Sequence, residues 1–203
     1  MILYQGSFLL PAVRIIIYIL SIYFFEERTL QVLRAYIRFV DGLNERVGRV
    51  VSWLTAVLVA VVCYDVFTRY LLKNSLVAVQ ELEWHLFGLI FLLGAAYSLK
   101  HDQHVRVDVF YSRFSARKQA WVNLIGSVLF LIPFCIIVIV SSQFFVFSAF
   151  HIGETSPDPG GLPARWVLKA AIPFGFVLLL LQGLGLACRS LLGVRGCDEE
   201  VDG

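Results

Sequence analysis

Long uncharged runs alternate with short polar segments along this chain. Val50–Tyr64, Leu86–Leu99, Ala120–Phe150 and Ala170–Cys188 contain no Asp, Glu, Lys or Arg. A helix needs roughly 20 mainly apolar residues to cross the hydrocarbon of a bilayer. The pattern therefore predicts four transmembrane helices, over about 47–72, 82–100, 119–150 and 167–192. The expected fold class is an all-α integral membrane protein. Trp84 and Tyr97 flank the second run, where amphipathic aromatics suit the two interfaces. The third run holds 31 uncharged residues, about 46 Å as a helix against a layer of about 30 Å, so it should tilt or project. Pro133 near its middle predicts a kink.

The segments between the runs read differently from one another. Residues 101–118 interleave Arg106, Arg113, Arg117 and Lys118 with Val105, Val109, Phe110 and Phe114. This suits an amphipathic arm lying in the interface between the second and third spans. Ser115 is placed to cap the helix that follows, and Asp41 or Asn44 a short helix leading into the first span. Residues 151–166 carry Gly153, Ser156-Pro157-Asp158-Pro159-Gly160-Gly161 and Pro163, which is turn chemistry. Pro173 and Gly175 are placed to bend the last span early. Ala56 with Ala60, and Gly183 with Ala187, are small-residue steps at which another helix can come close. Residues 196–203 form an acidic tail, expected to be flexible.

Residues 1–35 form a hydrophobic N-terminal extension outside the four-helix domain of residues 36–195. The extension carries Pro11 and Arg14, and an arginine at the centre of an isolated span costs roughly 2.5–3.5 kcal/mol. Three readings stand side by side: an extra span, a helix in the interface, or translation from a start assigned too far upstream.

Composition agrees with the pattern. Hydrophobic residues make up 59% of the chain and charged ones 16%, where a soluble domain has about 25% charged. The net charge of +2 is small and the bases are not clustered, so nucleic-acid binding has no support. Cys63, Cys135, Cys188 and Cys197 form no Cys-x-x-Cys pair, so neither a disulfide framework nor a zinc site is suggested. Lys and Arg number five in 26–49 and five in 100–118, but one each in 73–83 and 151–166. The positive-inside rule then places both ends of the four-span unit in the cytoplasm.

No P-loop, no Gly-x-Gly-x-x-Gly opening a helix after a strand and no His-Glu-x-x-His occurs. The mid-span stretches around Val57–Ala60, Phe91, Phe134–Ile137 and Leu179 hold no ionisable residue, so a substrate carboxylate would meet no fixed cation partway across. Complete transporters carry internal repeats and broken helices at that depth. The absence points to a non-catalytic accessory subunit with no catalytic, cofactor or metal residues. One alternative remains: His85 and His151, at similar depth on successive spans, are the candidate ligands of a haem b-type membrane redox anchor. Asp65 and Arg69 share a helix face at i and i+4, either as a self-compensating pair or as a contact for another subunit.

The motif Glu81-Leu82-x-Trp84-x-Leu86-Phe87, then Leu93-Gly94-Ala95-Ala96-Tyr97, then His104-Val105-Arg106-Val107-Asp108, resembles the small permease (DctQ-like) subunit of tripartite ATP-independent periplasmic (TRAP) transporters. The resemblance extends upstream through Asp41-Gly42-Leu43-Asn44-Glu45-Arg46 and downstream through Pro157-Asp158-Pro159-Gly160-Gly161-Leu162-Pro163, covering roughly 38–195. Those two flanking motifs look closest to the branch that takes up keto acids and similar carboxylates. What the resemblance implies is a scaffold. The small subunit braces a large permease subunit and helps to dock a periplasmic solute-binding protein, for sodium-coupled uptake of an organic acid. It implies that Asp65, Arg69, Glu81, Glu83 and Trp84 lie at the periplasmic docking side. It also implies that His104, Arg106 and Asp108 belong to a cytoplasmic arm touching the large subunit or membrane lipids.

Overall fold

A computed structural model describes the backbone of residues 9–102, 111 and 113–195, and the side chains of 28–102, 111 and 113–194. Among the described residues the chain is all-helical, and four helices are long and apolar enough to cross a membrane. Helix α1 spans Leu9–Leu71 and α2 spans Val77–Lys100. The third membrane element is continuous from Ala116 to His151. It consists of α3 (Ala116–Gly126), a π-helical turn (Ser127–Leu131) and α4 (Ile132–His151). Helix α5 spans Trp166–Arg195. The four expected spans are all present. Val77–Gln80, expected in the connection before the second span, already belongs to α2.

Two local expectations, both about caps, resolve differently. α1 does not restart near Asp41 or Asn44; both residues sit inside one unbroken helix and point at another helix rather than capping their own. Ser115 occupies the N-cap position of α3 in an extended conformation, but its hydroxyl makes no capping bond. Pro133 does not end its helix. A proline removes one N–H and crowds the carbonyl four residues back. The π turn lies immediately upstream, with Ile132 N–H bonded to Ser127 O five residues earlier, so the ladder widens just before the proline. α5 likewise continues through Pro173. His104, Arg106 and Asp108, and most of the arm they belong to, lie outside the described residues.

α5 is the organising element, the most buried of the four membrane helices and in contact with each of the others. Two glycines set its spacing. A Cβ on Gly175 would lie 2.7 Å from the Leu92 carbonyl oxygen, so α5 and α2 meet backbone to backbone. A Cβ on Gly183 would lie 2.8 Å from Leu131, so the π turn packs there. Between these points Ala96, Leu99, Cys135, Leu178 and Leu179 form the apolar core. α1 runs antiparallel to α2: Gly48 lies under the Tyr97 ring, and Val51 opposite Gly94. Ala56 and Ala60, the small-residue step on α1, are exposed.

Candidate functional site

Apolar packing fills the middle of the bundle, while the hydrogen-bonding side chains that link different helices lie at its two ends. At the end where α1 meets the C-terminal part of α5, Asn44 Nδ2 donates to Gln182 Oε1 at 2.7 Å. Gln182 Nε2 donates to Asp41 Oδ1 at 2.9 Å, and Arg189 Nη2 to Asp41 Oδ2 at 2.6 Å. Asn44 and Gln182 are almost completely buried. Tyr36 donates to the Leu181 carbonyl at 3.0 Å. The same end ties α1 to α2, because Lys100 Nζ and His101 Nε2 both approach Glu45 Oε2, at 2.5 and 3.2 Å. Each group meets its partner across a helix boundary, so the set fixes register. A buried polar side chain without its partner costs about 1–3 kcal/mol.

The opposite end is built on Glu81 in the first turns of α2. Its side chain sits under the α4–α5 loop, and the residue is 5% exposed. Ser156 Oγ donates to one carboxylate oxygen, and the Leu162 backbone N–H donates to the other at 2.6 Å. The loop closes so tightly that a Cβ on Gly161 would lie 2.8 Å from Glu81 Oε2 and 2.4 Å from Ser156 Oγ. Gly160 takes a positive φ of 80° at the turn, a conformation that glycine adopts without steric cost. The rest of the loop is fastened by Lys169 donating to Glu154 at 2.5 Å and by Arg165 N–H donating to the Glu154 carbonyl at 3.0 Å. The Arg165 guanidinium lies 5.5 Å from the Trp84 ring centroid, and the His85 ring lies against the Trp84 ring with centroids 4.0 Å apart.

The residues proposed from sequence separate into distinct environments. Asp65 is 2% exposed; Arg69 Nη2 bonds its Oδ2, while its Oδ1 is buried with no partner. The Arg69 side chain is 43% exposed. Glu83 is half-buried with one unpartnered oxygen, and Trp84 is exposed beside Arg165. Glu81 is turned inward and saturated by its own loop. Sequence reasoning missed Ser156, Gly161 and Leu162 as its partners, and missed Gln182 and Arg189 as partners of Asn44 and Asp41. The only signal for the first set was the density of turn residues at 153–163; the second had none, since its members are some 140 positions apart.

With this architecture in view, a family model described as "Tripartite ATP-independent periplasmic transporters, DctQ component" matches residues 58–193. The chain belongs to this family. Among curated DctQ-component relatives, the C4-dicarboxylate TRAP transporter small permease protein DctQ of Rhodobacter capsulatus is 34% identical over 113 residues. That alignment covers 56% of this chain and 48% of the relative, so the chain spans about half the length of that protein. The sialic acid TRAP transporter small permease protein SiaQ of Vibrio cholerae is 25% identical over 152 residues, covering 73% of this chain and 85% of the relative. The protein is thus a small permease subunit of a TRAP transporter and a multi-pass membrane protein. The two relatives carry names for different substrates, C4-dicarboxylates and sialic acid, so they do not confirm the keto-acid branch. The haem reading is set aside. It conflicts with membership in a transporter-subunit family, and both histidines are taken up locally: His85 Nδ1 donates to the Glu81 carbonyl at 2.6 Å, and His151 packs on Phe147 at 4.2 Å.

Proposed function

We propose that this chain braces the large permease subunit of a TRAP transporter and helps to dock its periplasmic solute-binding protein during sodium-coupled uptake of an organic acid. The observation that carries this reading is the distribution of polar groups. Cross-helix hydrogen bonds hold the two ends of the bundle, while the mid-span stretches contain no charge that could grip a solute. A chain built in this way holds its own helices in register and leaves solute handling to a partner. α1 supports the brace, because its face around Ala56 and Ala60 is exposed and suits close helix packing in lipid.

The asymmetry of Lys and Arg supports an orientation with the Asn44–Gln182 end in the cytoplasm and the Glu81 end in the periplasm. On that orientation Asp65, Arg69, Glu83 and Trp84 lie on the side where a binding protein arrives, and the arm with His104, Arg106 and Asp108 lies at the cytoplasmic leaflet. Co-purification tests the reading. The tagged chain should bring down the large permease subunit from detergent-solubilised membranes, and its deletion should abolish uptake. Isolation of the chain as a stable monomer, with uptake intact after deletion, sinks the scaffold role.

A further inference from the structure

Glu81 was expected at the docking side, yet it is buried and both of its oxygens are taken by Ser156 and Leu162. What faces outward is the turn that it fastens. Pro157, Asp158, Pro159 and Gly160 are exposed. The charged groups around them are already engaged: Glu154 with Lys169, and Arg165 over Trp84. Among the described residues of this loop, the Asp158 carboxylate is the one charge without a partner. Its backbone is nonetheless tightly fixed, because Asp158 N–H donates to Ser156 Oγ at 3.2 Å and Asp158 C=O accepts from Gly161 N–H at 3.0 Å. Ser156 is the shared member: its hydroxyl donates to Glu81 and accepts from Asp158.

We propose that Glu81 is a positioning residue, which sets the 156–162 loop so that Asp158 at its tip meets a cationic patch on the solute-binding protein. This rests on the docking role proposed above. Glu81 acts through shape: its carboxylate supplies two acceptors, one on each limb of the loop, and never reaches the partner. Asp158 acts through charge. An exposed rim charge of this kind governs encounter with an oppositely charged surface and weakens with salt.

The test is uptake by proteoliposomes holding the complete membrane complex, with purified cognate binding protein titrated in. Asp158→Asn should raise the KM for the binding protein about three- to tenfold without changing the maximal rate, and should flatten its salt dependence. Glu81→Ala should do the same although the residue is buried. Glu81→Gln should stay near wild type, since its amide oxygen still accepts from Leu162 and its amide N–H can donate to Ser156 Oγ. Glu81→Ala combined with Asp158→Asn should be no worse than either alone. The inference is overturned if Glu81→Gln is as impaired as Glu81→Ala, if the two substitutions add, or if Glu81→Ala leaves the KM unchanged. Loss of the co-purifying large subunit in Glu81→Ala also overturns it, because the role would then be general stability. Wild-type complex whose uptake does not depend on the binding protein would instead refute the docking role itself.

Discussion

At the scale of single residues, burial decides which partner of a pair matters. The Asp65 and Arg69 side chains are bonded, but the first is 3% exposed and the second 43%. From sequence alone, Asp65→Ala should weaken assembly more than Asp65→Ala combined with Arg69→Ala, if an uncompensated arginine is the problem. The structure adds an asymmetry between the two single variants: an arginine on a long stem can reach the interface, whereas the buried Asp65 cannot leave. Arg69→Ala should therefore destabilise the detergent-solubilised protein by about 1–3 kcal/mol, and Asp65→Ala combined with Arg69→Ala should recover much of the loss. Thermal unfolding of the three variants measures this; equal loss in both single variants contradicts it. Gly48 gives a second case. A Cβ there would fall 2.1 Å from the Tyr97 ring. Gly48→Ala should cost about 1–3 kcal/mol, while Gly42→Ala, with nothing within 4 Å, should be neutral or slightly stabilising.

At the scale of elements, helix spacing depends on a few close approaches. Gly175→Val would push α5 away from the Leu92 carbonyl, whereas the Cβ of Gly185→Val would meet nothing within 4 Å. The first should lower the melting temperature well below that of the second, although both place a β-branched residue in the same helix. Similar losses would mean that propensity, and not the α5–α2 contact, governs the effect. The Asn44–Gln182 bond ties α1 to α5. A double-mutant cycle with Asn44→Leu and Gln182→Leu should give a coupling of about 0.6 kcal/mol, the average for hydrogen bonds between membrane helices, and no more than about 1.7 kcal/mol. Zero coupling would mean that the apolar contacts of Ile37, Val40 and Leu192 hold this crossing by themselves.

At the scale of the whole molecule, the proposed orientation predicts which end meets each compartment. In a cysteine-free background, Thr155→Cys on the loop should react with a membrane-impermeant maleimide in spheroplasts of intact inner membrane. Gly42→Cys, exposed on α1, should react only after the membrane is opened. The opposite pattern would invert the topology and with it the docking assignment. Much of this architecture could be read along the chain. Four uncharged runs separated by polar segments dictate four membrane helices, because a bilayer permits few other ways to satisfy the backbone. The 153–163 turn was equally legible in its glycines and prolines. What holds these parts together was not legible. Glu81, at the edge of an apolar run, has the sequence profile of a solvated helix end, and only the return of the chain some 75 residues later buries it under Ser156 and Leu162. Asp41 and Asn44 suit helix caps locally, and only the arrival of α5 makes them cross-links. Hydrophobicity is a property of each segment and is fixed by the sequence near it. Hydrogen-bond partners and close backbone contacts are properties of pairs, and the pairs exist only once the helices have packed.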